Sequence, residues 1–343
     1  MISNPNPSVC ILPRLEGHGG PASFYARITA GLAAHQVNVH HNPYQEDTNA
    51  ILVIGGTRQL QALWRARRRG VQIIQRLDGI NWLHRLRYTG IRHFVRSEVN
   101  NLVISFIRHF LADEIVYQSL FIQEWWNRVY GGVPGNSHVI YNAVNLDTYN
   151  PGGPQERPSD HVRILVVEGH LGDAQQVALE NTIHLTELLP QVLSTRIELM
   201  IAADVPVSLR KKWDSQSSAW TTWKGIIKRE EIPFLDRSAH LLFSAEVNAP
   251  CPNSVIEAMA CGLPVIGFSI GSLPELVQRD AGRLVPYGGD PWKLQAPNLL
   301  ALVPVIQEIL ANQDHFRLSA REWAVEKFNV EKMVESYIRV LMN

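Results

Sequence analysis

The chain has 343 residues, 45% of them hydrophobic and 19% charged, and its 32 basic side chains equal its 32 acidic ones. That length exceeds one ordinary core and fits two domains, and the balance excludes fibrous and intrinsically disordered classes. Cys10, Cys251 and Cys261 are scattered and odd in number, which points to a reducing compartment, not a disulfide framework, and leaves no zinc-ligand spacing. The opening residues lack a basic and apolar leader pattern, and no apolar run approaches the ~20 residues of a membrane span. The expected location is therefore the cytoplasm, either free or peripheral at the inner face of the membrane.

The zero net charge conceals an asymmetry. Residues 1–145 carry 14 Arg, no Lys and 8 acids, for +6, and the remainder carries −6. A basic first half suits an anionic partner such as a membrane surface, although Arg65, Arg67, Arg68 and Arg69 also suit the solvated face of one helix. Nothing in this pattern calls for nucleic acid.

In chain order, short apolar runs predict strands over 9–12, 37–40, 51–54, 71–75 and 115–117. They continue over 164–167, 197–201, 241–243 and 265–268, with helix-length patterns between. Strands separated by helices build βαβ units with right-handed crossovers, so the expected class is α/β, with two doubly wound parallel sheets. Ile91, Phe94, Val95, Leu102, Val103, Phe106, Ile107 and Phe110 mark one helix, whose apolar face packs on the core or meets a membrane. The run 150–158 is dense in proline and glycine and reads as the boundary region. A final helix over 330–342 presents Met333, Val334, Tyr337, Ile338 and Leu341, and by pattern alone could pack on either domain.

The segment 241–286 is the richest in chemistry. It reads as two consecutive strand–loop–helix units, the first helix spanning 253–260 with Asn253 as its N-cap and Gly262 and Pro264 as its stop. Each unit aims a helix N-terminus at the carboxyl edge of the sheet, where open α/β sheets bind ligands and where free amides favour a pyrophosphate. Glu257, about 5 Å inside the first helix, could accept from the vicinal hydroxyls of a ribose. Gly271 would admit close backbone approach to phosphates. Taken singly, an early helical Glu and a Gly-Leu-Pro stop are ordinary features.

The residue order adds a resemblance. The stretch Pro252-Asn253-Ser254-Val255-Ile256-Glu257-Ala258-Met259-Ala260-Cys261-Gly262-Leu263-Pro264 resembles the donor-site signature of the family-4 retaining glycosyltransferases of GT-B fold, also called glycosyl transferase group 1. So does Gly271-Ser272-Leu273-Pro274-Glu275-Leu276-Val277, followed by Gly282-Arg283-Leu284-Val285-Pro286. Weaker likeness extends to Tyr141-Asn142-Ala143-Val144, Trp223-Lys224-Gly225 and Gly19-Gly20.

The resemblance implies two Rossmann-like domains facing a cleft. The acceptor side would occupy 1–145 with the final helix 330–343, and the nucleotide-sugar donor side 146–329. It implies sugar transfer with retention to a glycan or lipid-linked acceptor, in envelope or exopolysaccharide synthesis, with no metal or resident cofactor and the nucleotide diphosphate sugar as substrate. By position, Glu257 would hold the ribose, amides near Asn253, Ser254, Val255, Gly271 and Ser272 the diphosphate, and Ile226 and Ile227 the base. Three positions depart from the family. Ala249 stands where a second acid touches the transferred sugar, with Glu246 three residues too early. His170 stands where an arginine binds diphosphate, and no lysine follows. Asp78 takes the place of a histidine near the reacting centre, as a candidate base or an Asp-Gly turn. His18 is a further candidate for acceptor or phosphate contact. These departures keep a second reading open, a catalytically impaired binding or regulatory subunit beside an active transferase. A nucleotide-sugar epimerase of the same architecture is a third.

Overall fold

The computed structural model describes residues 6–17, 19–133, 135–154, 156–172 and 175–342. The chain divides into two compact units, one made of Met1–Asn142 with Val330–Asn343, the other of Ala143–Asn329. The proline- and glycine-rich run starts inside the second unit, where Arg237 donates to the carbonyls of Asn150 and Pro154.

The first unit alternates β1 (Ser8–Leu12), α1 (Gly20–Ala34), β2 (Asn38–His40), β3 (Ala50–Ile54), α2 (Leu60–Arg68), β4 (Gln72–Leu77), α3 (Ile91–Phe106), β5 (Glu114–Tyr117), α4 (Leu120–Tyr130) and β6 (Asn136–Val139). All six strands are parallel, in the order β2-β1-β3-β4-β5-β6. β1 and β3 are buried along their whole length, as strands covered on both faces must be. Their side chains Cys10, Leu12, Ile51 and Val53 meet Leu63, Ile73 and Ile107 in one core.

Of the two directions open to the apolar face of α3 and the turn after it, the structure takes both in unequal parts: Val103 and Ile107 pack on the core, and most of the stripe points away from it. Ile91, Val95, Val99, Leu102, Phe106 and Phe110 are exposed, from 44% to 74%, while Ser97 and Asn101 are buried. The buried side is polar because it closes loops: Asn101 accepts from Asn81 N–H at 3.1 Å and donates to Asn81 O at 2.8 Å, and Gln75 caps Ile104 O. Periodicity fixes the width of a stripe and leaves its direction to the neighbours. In the basic helix α2, Arg67 pairs with Asp113 at 3.1 Å, whereas Arg65 and Arg68 lie exposed.

The second unit runs β7 (Val162–His170), α5 (Gln176–Leu193), β8 (Ile197–Asp204), α6 (Val207–Gln216), β9 (Trp220–Trp223), α7 (Ile232–Ser238), β10 (Leu241–Phe243), α8 (Asn253–Ala260), β11 (Val265–Phe268), α9 (Leu273–Leu276), β12 (Gly282–Val285), α10 (Leu302–Ala311) and α11 (Gln313–Lys327). Its parallel sheet has the order β12-β11-β10-β7-β8-β9. The chain grows outward from β7 through β8 to β9, then returns to the other side of β7 with β10. The order thus reverses between β7 and β10, and the crevice outside their carboxyl ends is the ligand position of such sheets.

The last helix, α12 (Val330–Leu341), belongs to the first unit. Its buried residues are Met333, Val334, Tyr337, Val340 and Leu341, with Ile338 only half-buried. Val334 lies so close to Gly31 of α1 that a Cβ there would overlap it, and Tyr337 packs on Phe24 with ring centroids 5.2 Å apart.

Candidate functional site

At the switch point the ends of β7 and β10 bring two carboxyls together. A β-bulge between Val167 and His170 interrupts the β7–β8 ladder at Glu168, and bulges of this kind re-aim side chains beside ligand sites. Glu168 is pushed well above the carboxylate range by burial and by the adjacent charge of Glu246. Glu246, in the loop after β10, is pushed up to about 7 by burial. Like charges so placed cannot both ionise, so the pair holds a proton at neutral pH. Sequence reading had set Glu246 aside and had no reason to choose Glu168, because only the sheet order makes them neighbours.

This pair has a pH signature. Between pH 4.5 and about 7 the folded chain keeps a proton on Glu246 that the unfolded chain releases. Stability therefore falls as pH rises through that window, by roughly 3 kcal/mol at 1.36 kcal/mol per pKa unit. Melting curves at pH 5 and pH 8 should show Glu246→Gln losing most of that fall. Parallel pH dependence in variant and wild type would contradict the pairing.

Beside the pair, His170 Nδ1 lies 3.1 Å from Asp204 Oδ2, at the paired ends of β7 and β8. A Cβ on Gly172 would come within 2.7 Å of His170 Nε2, so the turn after β7 is closed tightly on that ring. His170 thus has a carboxylate neighbour that the sequence did not reveal. Ile226 and Ile227 follow β9, beyond β8; Ile226 is 55% exposed and Ile227 half-buried.

On the other side of the switch point, α8 starts the second half of the site. Pro252, extended at φ −65° and ψ 121°, is the N-cap, which corrects the role expected for Asn253; Asn253 is the first helical residue. Ser254 and Val255 complete the first turn, whose amides have no intrahelical acceptor. Glu257 is buried at 7% exposure and its charge, after burial itself, raises Asp236 of α7 well above the carboxylate range. The helix closes on Gly262, at φ +71°, with Gly262 N–H donating to Met259 O and Leu263 N–H to Ala258 O.

The loop after β11 requires a correction. Gly271 has φ +60°, and a Cβ on it would lie 2.7–2.8 Å from backbone atoms of Asn248 and Ala249. Ser272 N–H donates to Ala249 O at 3.0 Å. Glycine is needed at 271 because two backbones meet there, and the Ser272 amide expected to hold diphosphate is already bonded within the protein. What the two loops leave without a protein partner are side chains: Ser244 Oγ, Asn248 Nδ2 and Ser272 Oγ, all buried. Buried polar groups are nearly always satisfied, so these three mark a place built for a polar ligand or ordered water. Ser244 and Asn248 escaped sequence reading; the positive φ of Asn248, +57°, is visible only in the fold.

In the first unit Asp78 follows β4. It is bonded to Arg76, whose side chain is 1% exposed and also donates to Gln118 and Asn142, each at 2.9 Å. The Arg76 guanidinium stacks 3.9 Å above the Phe24 ring, and Trp126 Nε1 donates to Asp78 O at 2.8 Å. Asp78 is therefore the counter-ion of a buried arginine, a role that neither a lone base nor an Asp-Gly turn anticipated. His18 lies outside the described residues. Among the described residues no three His, Cys, Asp or Glu side chains cluster as metal ligands, and no helix is long and apolar enough to cross a membrane.

Residues 167–297 match the family described as Glycosyl transferases group 1. The chain is 25% identical over 177 residues, 47% of its length, to D-inositol 3-phosphate glycosyltransferase of Thermobifida fusca (strain YX), and the match spans 41% of that protein. In structure it is similar to sucrose-phosphate synthase from Thermosynechococcus elongatus, with a TM-score of 0.76, 17% identity and 98% of each chain covered. It is also similar to Anabaena HepE in complex with UDP and glucose, with a TM-score of 0.69, 16% identity, and 98% of this chain and 99% of that one covered. Segment 167–297 thus matches the glycosyl transferases group 1 family, and the chain as a whole has the two-sheet GT-B fold of these structures.

Proposed function

We propose that the chain transfers a glycosyl group from a nucleotide diphosphate sugar to a glycan or lipid-linked acceptor, with retention and without a resident metal or cofactor, in envelope or exopolysaccharide assembly. The observation that carries this reading is the carboxyl edge of the second sheet. There the first turn of α8, the buried Glu257 and the orphaned Ser244, Asn248 and Ser272 side chains face one switch point. Glu257 would accept from the ribose hydroxyls, the amides of Asn253, Ser254 and Val255 would meet the diphosphate, and Ile226 and Ile227 would flank the base. His170 would approach the diphosphate from β7. Ser272 would contribute through its hydroxyl, and Gly271 by holding the two loops in register.

A melting-temperature screen against UDP, GDP, ADP, CMP and their sugars tests this. A nucleotide at a hundredfold excess over its Kd stabilises the fold by about 2.7 kcal/mol. No shift with any of them would remove the reading.

The second reading, an impaired subunit that binds but does not turn over, has one observation in its favour. Ala249 is 1% exposed and its carbonyl is tied to Ser272, so no acid contacts a sugar from that position. Glu246, paired with Glu168, is the group that can supply a carboxyl there.

The acceptor side is read from α3. Its exposed stripe Ile91, Val95, Val99, Leu102 and Phe106, continued by Phe110 in the turn that follows, is flanked by exposed Arg92 and Arg96, the composition of a helix lying in a lipid interface. Co-sedimentation with anionic vesicles at low salt is expected, weakened by high salt and by Leu102→Asp. Equal absence of binding to anionic and neutral vesicles at both salt levels would remove the membrane contact.

A further inference from the structure

The second sheet has another polar site at its opposite edge. A cavity of about 420 Å³ lies against the amino ends of its strands, lined by Arg157, His161, Thr195, His240, Gln313 and Asp314 among others. Val162 opens β7, Thr195 precedes β8 and His240 precedes β10, so this wall is a sheet's length away from Glu168 and Glu246.

Its donors are in excess of its acceptors. Arg157 Nη1 is buried with no hydrogen-bond partner, and so are Arg317 Nη2 and both side-chain polar atoms of Gln313. Gln313 and Arg317 lie one turn apart on α11, whose first turn opens at the cavity. Among the described residues no ion pair engages Arg157 or Arg317, and Arg317 Nη1 reaches only Ala239 O, at 3.2 Å. Of the neighbouring acids, Asp236 of α7 is buried and pushed well above the carboxylate range, first by its burial, and the others are committed elsewhere or lie on the rim. Asp160 is 2.8 Å from His161 Nδ1, Glu198 lies between His161 Nε2 and Arg163 Nε at 3.0 and 2.6 Å, and Asp314 is exposed.

The electrostatics agree. His240 is held down at about 4, first by burial and then by the charges of Arg157, Arg317, His161 and Arg163. Its Nδ1 accepts Arg163 N–H at 3.0 Å, so in the neutral ring Nε2 carries the proton and is a donor. Arg317 is pushed down to about 10, by burial and then by Arg157. Two guanidinium groups are therefore near enough to repel each other, and the acids that act on Arg317 are exposed Asp314 on the rim and Asp236 of α7, whose own carboxyl is pushed well above the carboxylate range. Buried donors left without a hydrogen-bond partner here are what an incoming anion would complete.

We propose that this cavity binds the phosphoryl group of a small phosphorylated molecule, with Arg157, Arg317, Gln313 and His240 as donors. Paired guanidinium forks match a tetrahedral oxyanion, and the free amides at the start of α11 favour the same charge. The volume falls in the range of small-molecule sites, roughly 300–1,000 Å³, and is larger than a bare ion needs. Because the donor loops occupy the other edge of the sheet, such a ligand would act on this unit without competing for the nucleotide.

Calorimetric titration of the full chain with orthophosphate and with a hexose 6-phosphate tests the proposal. The hexose phosphate is expected to bind at least about tenfold more tightly than orthophosphate. Arg157→Gln is expected to weaken it about 10- to 100-fold, the range for lost hydrogen bonds to a charged group, while nucleotide affinity stays unchanged. Gln313→Leu, which keeps the volume, should weaken it in the same direction if Arg157→Gln proves unstable. Unchanged hexose phosphate binding in both variants would overturn the proposal, and so would no binding by wild type at millimolar concentration. Equal affinity for orthophosphate would overturn the assignment to an organic phosphate, and parallel loss of nucleotide binding would place the phosphate in the donor loops instead.

Discussion

Asp78→Asn is expected to lower the unfolding free energy by about 3 kcal/mol, the scale on which removing one partner of a buried ion pair acts. Arg76 is 1% exposed, and Asp78 is its charged partner beside the neutral acceptors Gln118 and Asn142. The asparagine would take a charged partner from a buried guanidinium. Denaturant midpoints measure the loss, and Arg76→Met combined with Asp78→Asn should recover a large part of it, because neighbouring changes that act through one pair are not additive. The same variant separates structure from catalysis. If Asp78 also acts on an acceptor hydroxyl, turnover at a temperature where the variant is fully folded should fall while nucleotide affinity holds. Wild-type stability in Asp78→Asn would show that the Arg76 contact is not an energetic pair.

Glu257→Ala is expected to weaken nucleotide binding by 1.5–3 kcal/mol, about 10- to 100-fold, because ribose hydroxyls would lose a charged acceptor. Glu257 is one cause of the raised pKa of the buried Asp236, after burial itself, so its removal should let that carboxyl ionise at lower pH. The expected pattern is a folded chain that binds nucleotide poorly. Lost affinity accompanied by a large drop in melting temperature would indicate a structural role instead. Unchanged affinity would remove Glu257 from the site.

The sequence by itself determined the α/β class, nine of the twelve strands among the described residues, and the helix carrying Glu257. Those strands are mostly central, paired on both edges and covered on both faces, so their composition is mostly apolar, with Gln75 and Arg76 of β4 as buried exceptions. The three strands it did not show, β6, β9 and β12, are all at sheet edges, where one ladder partner and partial exposure permit Asn-Ser-His-Val, Trp-Thr-Thr-Trp and Gly-Arg-Leu-Val. The helix from Asn253 and its stop at Gly262 were legible because helix propensity and a glycine stop are local demands. Only the tertiary structure decided which distant groups meet. Glu168 and Glu246 are 78 positions apart and become a pair because β10 returns beside β7. Asp78 acquires Arg76 as its charge partner through the turn after β4, Gly271 acquires its requirement from the backbone of Asn248 and Ala249, and α3 turns its apolar stripe outward because Asn101 and Gln75 are needed inside. Periodicity and propensity act within a few residues, whereas a partner across a sheet is set by strand order, which no short stretch of sequence contains.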